Sequence, residues 1–160
     1  MAEESYNPAV QSHAQSREAA TAAFARIMDE MKTVVVATVD DEGKPVTCVI
    51  DLMGYDEDGL YLITNAGKGF YNRLKSREYL SLSTTNGKPT MECVAVTVAG
   101  EVRECPQEKL AQLLEANPFM YELYPTEEKR SVLRAFQVWR GTGNVFDLSS
   151  KPPTQVHFEF

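Results

Sequence analysis

The most chemically informative part of the sequence is a basic segment at residues 68–77, which reads KGFYNRLKSR. It contains four basic residues and no acidic one, a net charge of +4, whereas the whole chain of 160 residues has a net charge of −7. The other residues therefore sum to −11. An acidic chain has no general attraction for polyanions. The reversal of charge indicates a local site for one anion.

The residue types around this segment are those of a phosphate site. The pattern predicts a helix that begins after Gly67 and follows a strand at residues 60–63, and a helix N-terminus presents free backbone N–H groups to an anion. Lys68 is at the start of this helix, where the anion would lie. Thr64 and Asn65 provide hydroxyl and amide donors, and Gly67 and Gly69 allow a close approach of the backbone.

A second interpretation is that the basic residues are only the solvated face of a short helix. The segment does not contain the GxxxxGK[ST] pattern of a P-loop, so the spacing alone leaves both interpretations open. Arg73, Lys75 and Arg77 lie one to two turns beyond the helix start. We expect these three side chains to face solvent.

The elements around the segment are mostly strands. Runs of β-branched residues separated by Gly, Asp and Pro turns favour antiparallel pairing, beginning with a meander of three strands. The predicted strands are residues 33–39, 45–53, 60–63, 79–84, 91–105, 138–139, 144–148 and 155–160, with a turn at Gly141-Thr142-Gly143. The predicted helices are residues 16–31, 68–76, 106–116 and 126–136, the last with Thr126 as its N-cap.

This order predicts a mainly β protein with flanking helices, a small antiparallel barrel rather than a doubly wound sheet. The length suits one compact domain, which we place at residues 16–160 after a mobile N-terminal tail at residues 1–15. Hydrophobic residues make up 43% of the chain, enough for a buried core.

The composition also excludes some classes of function. The acidic balance excludes a bulk interaction with nucleic acid, and no apolar run is long enough to span a bilayer, so we expect a cytoplasmic protein with neither nucleic-acid nor membrane partners. The three cysteines, Cys48, Cys93 and Cys105, form no CxxC pattern and are interpreted as free thiols. His13 and His157 stand at opposite ends of the chain, so no metal site is expected.

Two stretches of the sequence resemble one family. The run LYLITNAGKGFYNRLKS at residues 60–76, followed by YLSLS, is similar to the flavin-phosphate region of the pyridoxamine 5′-phosphate oxidase-like, FMN-binding split-barrel proteins. The upstream VVVATVDDEGKPVTCVI at residues 34–50 resembles their opening hairpin. The resemblance covers residues 20–105 well and the remainder loosely.

The resemblance implies a six-stranded antiparallel split β-barrel that forms a homodimer, with one FMN in each of two clefts at the interface. Thr64 and Lys68 would bind the FMN phosphate, with Asn65 close by. The second strand, through Val46, Thr47 and Cys48, would line the isoalloxazine ring and offer backbone groups to its pyrimidine edge.

Trp139 is interpreted either as core or interface packing or as a contact to the flavin of the partner subunit. Arg140 would stabilise negative charge on a reduced flavin. The family's oxidase has a tryptophan and an arginine after a Glu-aromatic pair, whereas this sequence reads Phe158-Glu159-Phe160 there. We therefore expect a substrate other than pyridoxamine phosphate.

The predicted function is that of an FMN-dependent oxidoreductase, which moves hydride or electrons between a reduced donor and a small acceptor or oxygen. No catalytic side chain is identified, because the cofactor performs the redox step. The alternatives are a split barrel that uses the deazaflavin F420 or haem, and a non-catalytic flavin-binding or sensing module, including a barrel that has lost its cofactor.

Overall fold

The structure, a computed structural model, describes residues 10–14, as backbone, and residues 17–160. The strands within these residues are β1 (Val10–Ala14), β2 (Thr33–Val39), β3 (Pro45–Asp51), β4 (Gly54–Asp56), β5 (Gly59–Asn65), β6 (Tyr79–Thr85), β7 (Val94–Glu104), β8 (Leu133–Asp147) and β9 (Thr154–Glu159). The helices are α1 (Arg17–Arg26), α2 (Gly69–Arg77), α3 (Gln107–Ala116), α4 (Phe119–Leu123) and α5 (Glu127–Arg130), with a π-helical turn at Ile27–Met31 and a 3₁₀ turn at Thr90–Glu92.

The strands form one curled sheet in the order β1-β9-β8-β7-β6-β2-β3, with β5 paired to β8 and β4 paired to β5. Every pair is antiparallel except β1 with β9. The predicted fold class, a mainly β split barrel with flanking helices, is confirmed. The continuous path has seven strands, one more than the six that the resemblance implied.

The tail predicted at residues 1–15 falls largely outside the described residues, which exclude 1–9 and 15–16. Its described part, Val10–Ala14, is a strand beside β9. The domain boundary at residue 16 therefore stays a prediction, and β1 is an element that the sequence pattern did not indicate.

The third predicted strand does not continue the meander. β2 and β3 form the expected hairpin, from Val39 opposite Pro45 to Thr33 opposite Asp51. β5 instead pairs with β8, far along the chain, so that β3 is left at the edge of the sheet. We predicted that β5 would pair with β3, because the two strands are close in the sequence. In the structure β5 pairs with the distant strand β8 instead.

The helix predicted at residues 126–136 is much shorter in the structure. Thr126 caps a helix as predicted, with its hydroxyl accepting from the Lys129 N–H at 3.2 Å, but that helix ends at Arg130. β8 begins at Leu133 and runs unbroken to Asp147. The predicted Gly141-Thr142-Gly143 turn is strand, because β7 and β9 hold β8 from both sides there.

The core has two parts because β5 and the first half of β8 are buried on both faces. One face of these strands joins the barrel interior, where Phe24, Leu62 and Phe136 pack together with the inward side chains of β2, β6 and β7. The other face packs under α3 and α4, through Ile63, Leu133 and their neighbours. Leu110, Leu113 and Leu114 of α3 point inward as the sequence predicted.

The close packing of β8 predicts an unequal response to two glycine substitutions. A Cβ atom at Gly141 would lie 2.1 Å from the Ala99 carbonyl oxygen, which belongs to a backbone that cannot move aside. We expect Gly141→Ala to cost roughly 3 kcal/mol, the upper end of overpacking.

Gly43→Ala is the matched control, since Gly43 has a φ of +81° but open space around it. We expect it to cost about 1 kcal/mol. Equilibrium unfolding in urea measures both values. Equal losses would show that β8 is not confined at Gly141.

Candidate functional site

Four of the predicted site residues line one cleft. It has a volume of about 160 Å³ and lies between the end of β5, the start of α2 and the middle of β3. Cys48, Thr64, Asn65 and Lys68 line it together with Val49, Ile50, Ile63, Phe70, Met120, Tyr124 and Leu133. The strand-then-helix order at residues 60–77 is as predicted.

A tight turn at the end of β5 sets the start of α2. The Asn65 side-chain oxygen accepts from the Gly67 N–H at 2.8 Å, and its carbonyl accepts from the Lys68 N–H at 3.0 Å. Because Asn65 Oδ1 is committed to the turn, its Nδ2 is the group that remains to donate to a ligand.

The first turn of α2 provides backbone donors. No side chain of the described residues caps the helix, whose N-cap residue, Lys68, has extended backbone angles. The N–H groups of Gly69, Phe70 and Tyr71 precede the first residue with an intrahelical acceptor, since Asn72 is the first to bond back, to the Lys68 carbonyl. Three N–H groups and the positive end of the helix dipole are therefore available beside Lys68.

Arg73 lies beside this cleft and is partly buried, which corrects the expectation that it faces solvent. Its guanidinium turns back toward the helix start, and its Nη1 would be 3.1 Å from a Cβ atom at Gly69. Its Nε donates to the Thr38 hydroxyl at 2.8 Å, and Thr38 is only 4% exposed on the inner face of β2. The spacing of four residues between Gly69 and Arg73 is the signal that could have indicated this contact.

Lys75 and Arg77 are exposed, as expected. The Lys75 ammonium forms an ion pair with Glu104 at 2.8 Å, and Arg77 donates to the Asp40 carbonyl oxygen. These bonds hold both cations against other parts of the barrel. Of the four basic residues, Lys68 lines the cleft and Arg73 lies beside it, next to Gly69.

Burial and nearby charges at the cleft act on the pKa of the Cys48 thiol. Burial raises its pKa above the ordinary value, while the charges of Arg73 and Lys68 act in the opposite direction. The desolvation effect is the largest, so the thiol is protonated at neutral pH. Cys48 is thus a small neutral side chain within the electrostatic influence of Arg73 and Lys68.

The opposite wall of the cleft is apolar and comes partly from an element that the sequence did not indicate. Met120 and Tyr124 belong to α4 and its C-terminal end, between Pro118 and Pro125. A helix of five residues between prolines leaves no clear periodic pattern. Ile63, Phe70 and Leu133 complete this wall.

Val46 and Thr47 lie on β3 but do not line the cleft. Val46 is on the same face as Cys48, opposite Thr38 of β2, and is half-buried. Thr47 is exposed on the other face, so it could contribute to the cleft only through its backbone. Their predicted contacts to the flavin ring stay predictions.

Trp139 lies in another groove of about 430 Å³, together with Tyr79 and Arg103. A β-bulge displaces it: Val138 faces Val102 and Arg140 faces Glu101, which leaves Trp139 without a partner on β7. The Arg103 and Arg140 guanidiniums lie 4.8 and 4.6 Å from the indole centroid. Arg140 also pairs with Glu101 at 2.8 Å. Within one chain, Trp139 and Arg140 are separate from the cleft residues.

Two kinds of feature are absent from the residues that the structure describes. None of their helices is both long and apolar enough to cross a membrane. They also contain no group of three or more histidine, cysteine or acidic side chains arranged to hold a metal ion.

Comparison with known protein families shows which family this chain matches. The profile of the pyridoxamine 5′-phosphate oxidase family matches residues 20–144, well over half of the chain. The chain belongs to this family. The match extends beyond the predicted resemblance at residues 20–105 and includes most of β8. A comparison with curated protein sequences gives no significant match.

Several solved structures are similar to this chain in fold. A NimC/NimA family protein from Clostridium acetobutylicum aligns with a TM-score of 0.72 at 16% identity, over 90% of this chain and 96% of its own. A protein from the same organism related to general stress protein 26 gives 0.67 at 15% identity, over 91% and 96%. The haem storage protein HutZ of Vibrio cholerae gives 0.54 at 16% identity, over 72% and 85%. At these identities the likeness concerns the fold.

The environment of Cys48 gives a testable pH dependence. Because its pKa is raised, less thiolate is present at a given pH, and we expect alkylation of Cys48 by iodoacetamide at pH 8 to be slower than that of a free cysteine peptide. Arg73→Gln removes a nearby cation and should raise the pKa further. Mass spectrometry of the peptide that contains Cys48 follows the rate.

Lys75→Gln is the control, since Lys75 pairs with Glu104 and has no part in the Cys48 environment. Its alkylation profile should match that of the wild type. A Cys48 that reacts as fast as the free peptide would contradict the burial of this thiol.

Proposed function

We propose that this chain is an FMN-dependent oxidoreductase, which moves hydride or electrons between a reduced small-molecule donor and a small acceptor or oxygen. The observation that carries the proposal is the convergence of Lys68, Arg73 and the first turn of α2 at one end of an apolar cleft. A flat ring with a phosphate tail needs this combination of a cationic end and an apolar wall.

The residues fit the phosphate end of FMN. The Lys68 ammonium, the N–H groups of Gly69 and Phe70, and the Thr64 hydroxyl are donors of the kind that bind phosphate oxygens. Arg73, held by its bond to Thr38, adds a fixed positive charge without needing to move. The acidic remainder of the chain, at −11, makes this the favourable place for an anion.

The size of the cleft supports a site completed by a second subunit. Pockets for ligands of this class measure roughly 300–1,000 Å³, whereas this cleft measures about 160 Å³. One chain therefore accommodates the phosphate and part of the ribityl chain, and we propose that a homodimer encloses the ring, with Trp139 and Arg140 of one protomer near the flavin of its partner. Val46, Thr47 and Cys48 would border the ring from β3.

When bound, FMN supplies the hydride or electron transfer. The chain's own residues bind and orient the cofactor: Lys68 and Arg73 neutralise the phosphate, and the apolar wall from Ile63 to Tyr124 excludes water from one side of the site. The protonated Cys48 thiol acts as a packing group. A cytoplasmic location, with a reduced nicotinamide as the donor, is part of the proposal.

Cofactor identity is tested by the absorption spectrum of the purified protein. We expect a yellow protein that releases FMN on denaturation, or an apoprotein that binds added FMN and then oxidises NAD(P)H in the presence of an acceptor. Because the similar HutZ structure is that of a haem storage protein, haemin is titrated in parallel, as is F420. Failure to bind FMN would overturn the proposal. Binding without turnover would favour a non-catalytic flavin module.

The phosphate site predicts unequal effects for two lysines of the same helix region. We expect Lys68→Ala to weaken FMN binding by roughly 1.5 to 3 kcal/mol, the range for a hydrogen bond to a charged group. Lys75→Ala should change the affinity little, because that ammonium is paired with Glu104. Quenching of FMN fluorescence measures both dissociation constants. Equal effects would show that the phosphate lies elsewhere.

The dimer predicts a sedimenting mass of twice the chain's 17.9 kDa. If Trp139 contacts the partner's flavin, Trp139→Ala should leave the mass unchanged and reduce the affinity for FMN, since base–aromatic stacking of this type contributes about 1–3 kcal/mol. Analytical ultracentrifugation and FMN titration separate the two effects. A monomer that binds FMN with full affinity would contradict the shared site.

A further inference from the structure

The groove beside Trp139 contains an arginine whose guanidinium is held in place by a buried side chain. Arg103 lines this groove of about 430 Å³, and its Nε donates to the Gln137 side-chain oxygen at 2.9 Å. The same guanidinium lies over the Trp139 indole, 4.8 Å from the ring centroid. An arginine side chain on a surface ordinarily samples many rotamers, so these two contacts restrict Arg103 before any ligand arrives.

A chain of hydrogen bonds in the protein interior fixes Gln137 in turn. Its side-chain nitrogen donates to the Asp58 carbonyl at 2.9 Å and to the Tyr61 hydroxyl at 3.1 Å, and that hydroxyl donates to the Asp56 carboxylate at 2.8 Å. Gln137 and Tyr61 are only 6% and 5% exposed. Burial acts to raise the pKa of Asp56, but its hydrogen bonds lower that pKa overall, so the carboxyl is ionised at neutral pH and only accepts. This fixes the direction of each donor and leaves the Gln137 oxygen to face Arg103.

The terminal nitrogens of Arg103 remain available for a ligand. Among the residues that the structure describes, none accepts a hydrogen bond from Nη1 or Nη2, and none forms an ion pair with this guanidinium. Two guanidinium nitrogens in one plane match the two oxygens of a carboxylate or phosphate. Arg73, beside the flavin cleft, is held in the same way, with its Nε bonded to the buried Thr38 hydroxyl.

The other charges of the groove leave it positive. Glu101 is paired with Arg140 at 2.8 Å. The remaining charged side chains that line the groove are Arg77, Arg103 and Glu78, and their charges sum to +1. Glu78 therefore opposes an anion at this place without cancelling the positive charge.

We propose that Arg103 binds the carboxylate or phosphate group of a small organic anion in this groove, with Tyr79 and Trp139 against the rest of that ligand. Tyr79 is half exposed, and the volume of about 430 Å³ lies within the range of small-molecule pockets, roughly 300–1,000 Å³. Aromatic side chains beside a fixed guanidinium suit a ligand with an apolar body and one anionic group.

The site is formed within one chain and does not require FMN. Because Trp139 is proposed to lie near the flavin of the partner subunit, the bound anion would be part of the electron donor or acceptor. That role rests on the proposed function, whereas the site itself does not.

The fluorescence of Trp139 tests the proposal directly, since it is the only tryptophan in the chain. The full chain, before FMN is added, is titrated with benzoate and with phenyl phosphate. We expect at least one of them to change the emission saturably, with a Kd of about 1 mM or lower, and calorimetry to give one ligand per chain. The tighter of the two distinguishes a carboxylate site from a phosphate site. Benzamide, a neutral analogue of benzoate, should have no effect at the same concentrations.

Substitutions of Arg103 separate its charge from its geometry. Arg103→Gln should weaken binding of the anion at least about tenfold, because a hydrogen-bonded charge is lost. Arg103→Lys keeps the charge without the paired nitrogens and should give an intermediate affinity. Glu78→Gln should tighten binding, because it removes the opposing carboxylate.

Lys88→Gln is the matched control, since it removes the same charge as Arg103→Gln. Lys88 lies in the turn between β6 and β7, at the opposite end of these strands from Tyr79 and Glu101. Its affinity for either anion should equal that of the wild type. Far-UV circular dichroism checks that each variant folds.

The positioning role of Gln137 is tested by a double-mutant cycle. Gln137→Met removes the acceptor for Arg103 and should weaken anion binding several-fold in the wild-type background. In the Arg103→Gln background the same change should have no further effect. Equal losses in both backgrounds would contradict the positioning role. If Gln137→Met does not fold, the variants of the exposed Arg103 still decide the proposal.

The proposal is overturned if neither anion changes the Trp139 emission at roughly 10 mM, ten times the expected upper Kd. It is also overturned if Arg103→Gln binds as the wild type does, or if Lys88→Gln weakens binding equally. Failure to bind FMN, with the anion still bound through Arg103, would overturn the proposed function and leave this site in place.

Discussion

The pairing of β8 is the constraint on which the rest of the structure depends. This strand pairs with β7 along most of its length, with β5 along its first half and with β9 along its second half. Hydrogen bonding on both edges, with both faces of the first half buried, leaves its backbone little freedom. Gly141 and Gly143 permit this, because a side chain at either position would meet the Ala99 carbonyl or the Phe158 ring.

The cleft inherits its geometry from this strand. Thr64 and Asn65 pair with Arg134 and Leu133, and the Ala66 N–H donates to the Val132 carbonyl at 2.8 Å. The end of β5 is therefore fixed before the chain turns into α2. A rigid strand end followed by a helix N-terminus is an arrangement that places backbone donors with little loss of conformational entropy on binding.

The start of α2 is positively charged although the chain as a whole is acidic. The acidic chain repels anions in general, while Lys68 and Arg73 stand together at the start of α2. Arg73 is held by a buried hydroxyl and by the space that Gly69 leaves open. The solved structures of similar fold include a haem storage protein, which agrees with the rule that one scaffold carries sites of different chemistry.

The sequence by itself determined the local features: the hairpin of β2 and β3, the order of strand, turn and helix at residues 60–77, the inward leucines of α3, and the grouping of Thr64, Asn65 and Lys68 at the junction of β5 and α2. These depend on side-chain periodicity and turn residues, which act over a few positions. Tertiary structure decided the strand identity of residues 133–137, the partner of β5 and the inward turn of Arg73. Each of these depends on contacts between distant segments, and local preference is overridden when such contacts bury more surface or pair more backbone groups.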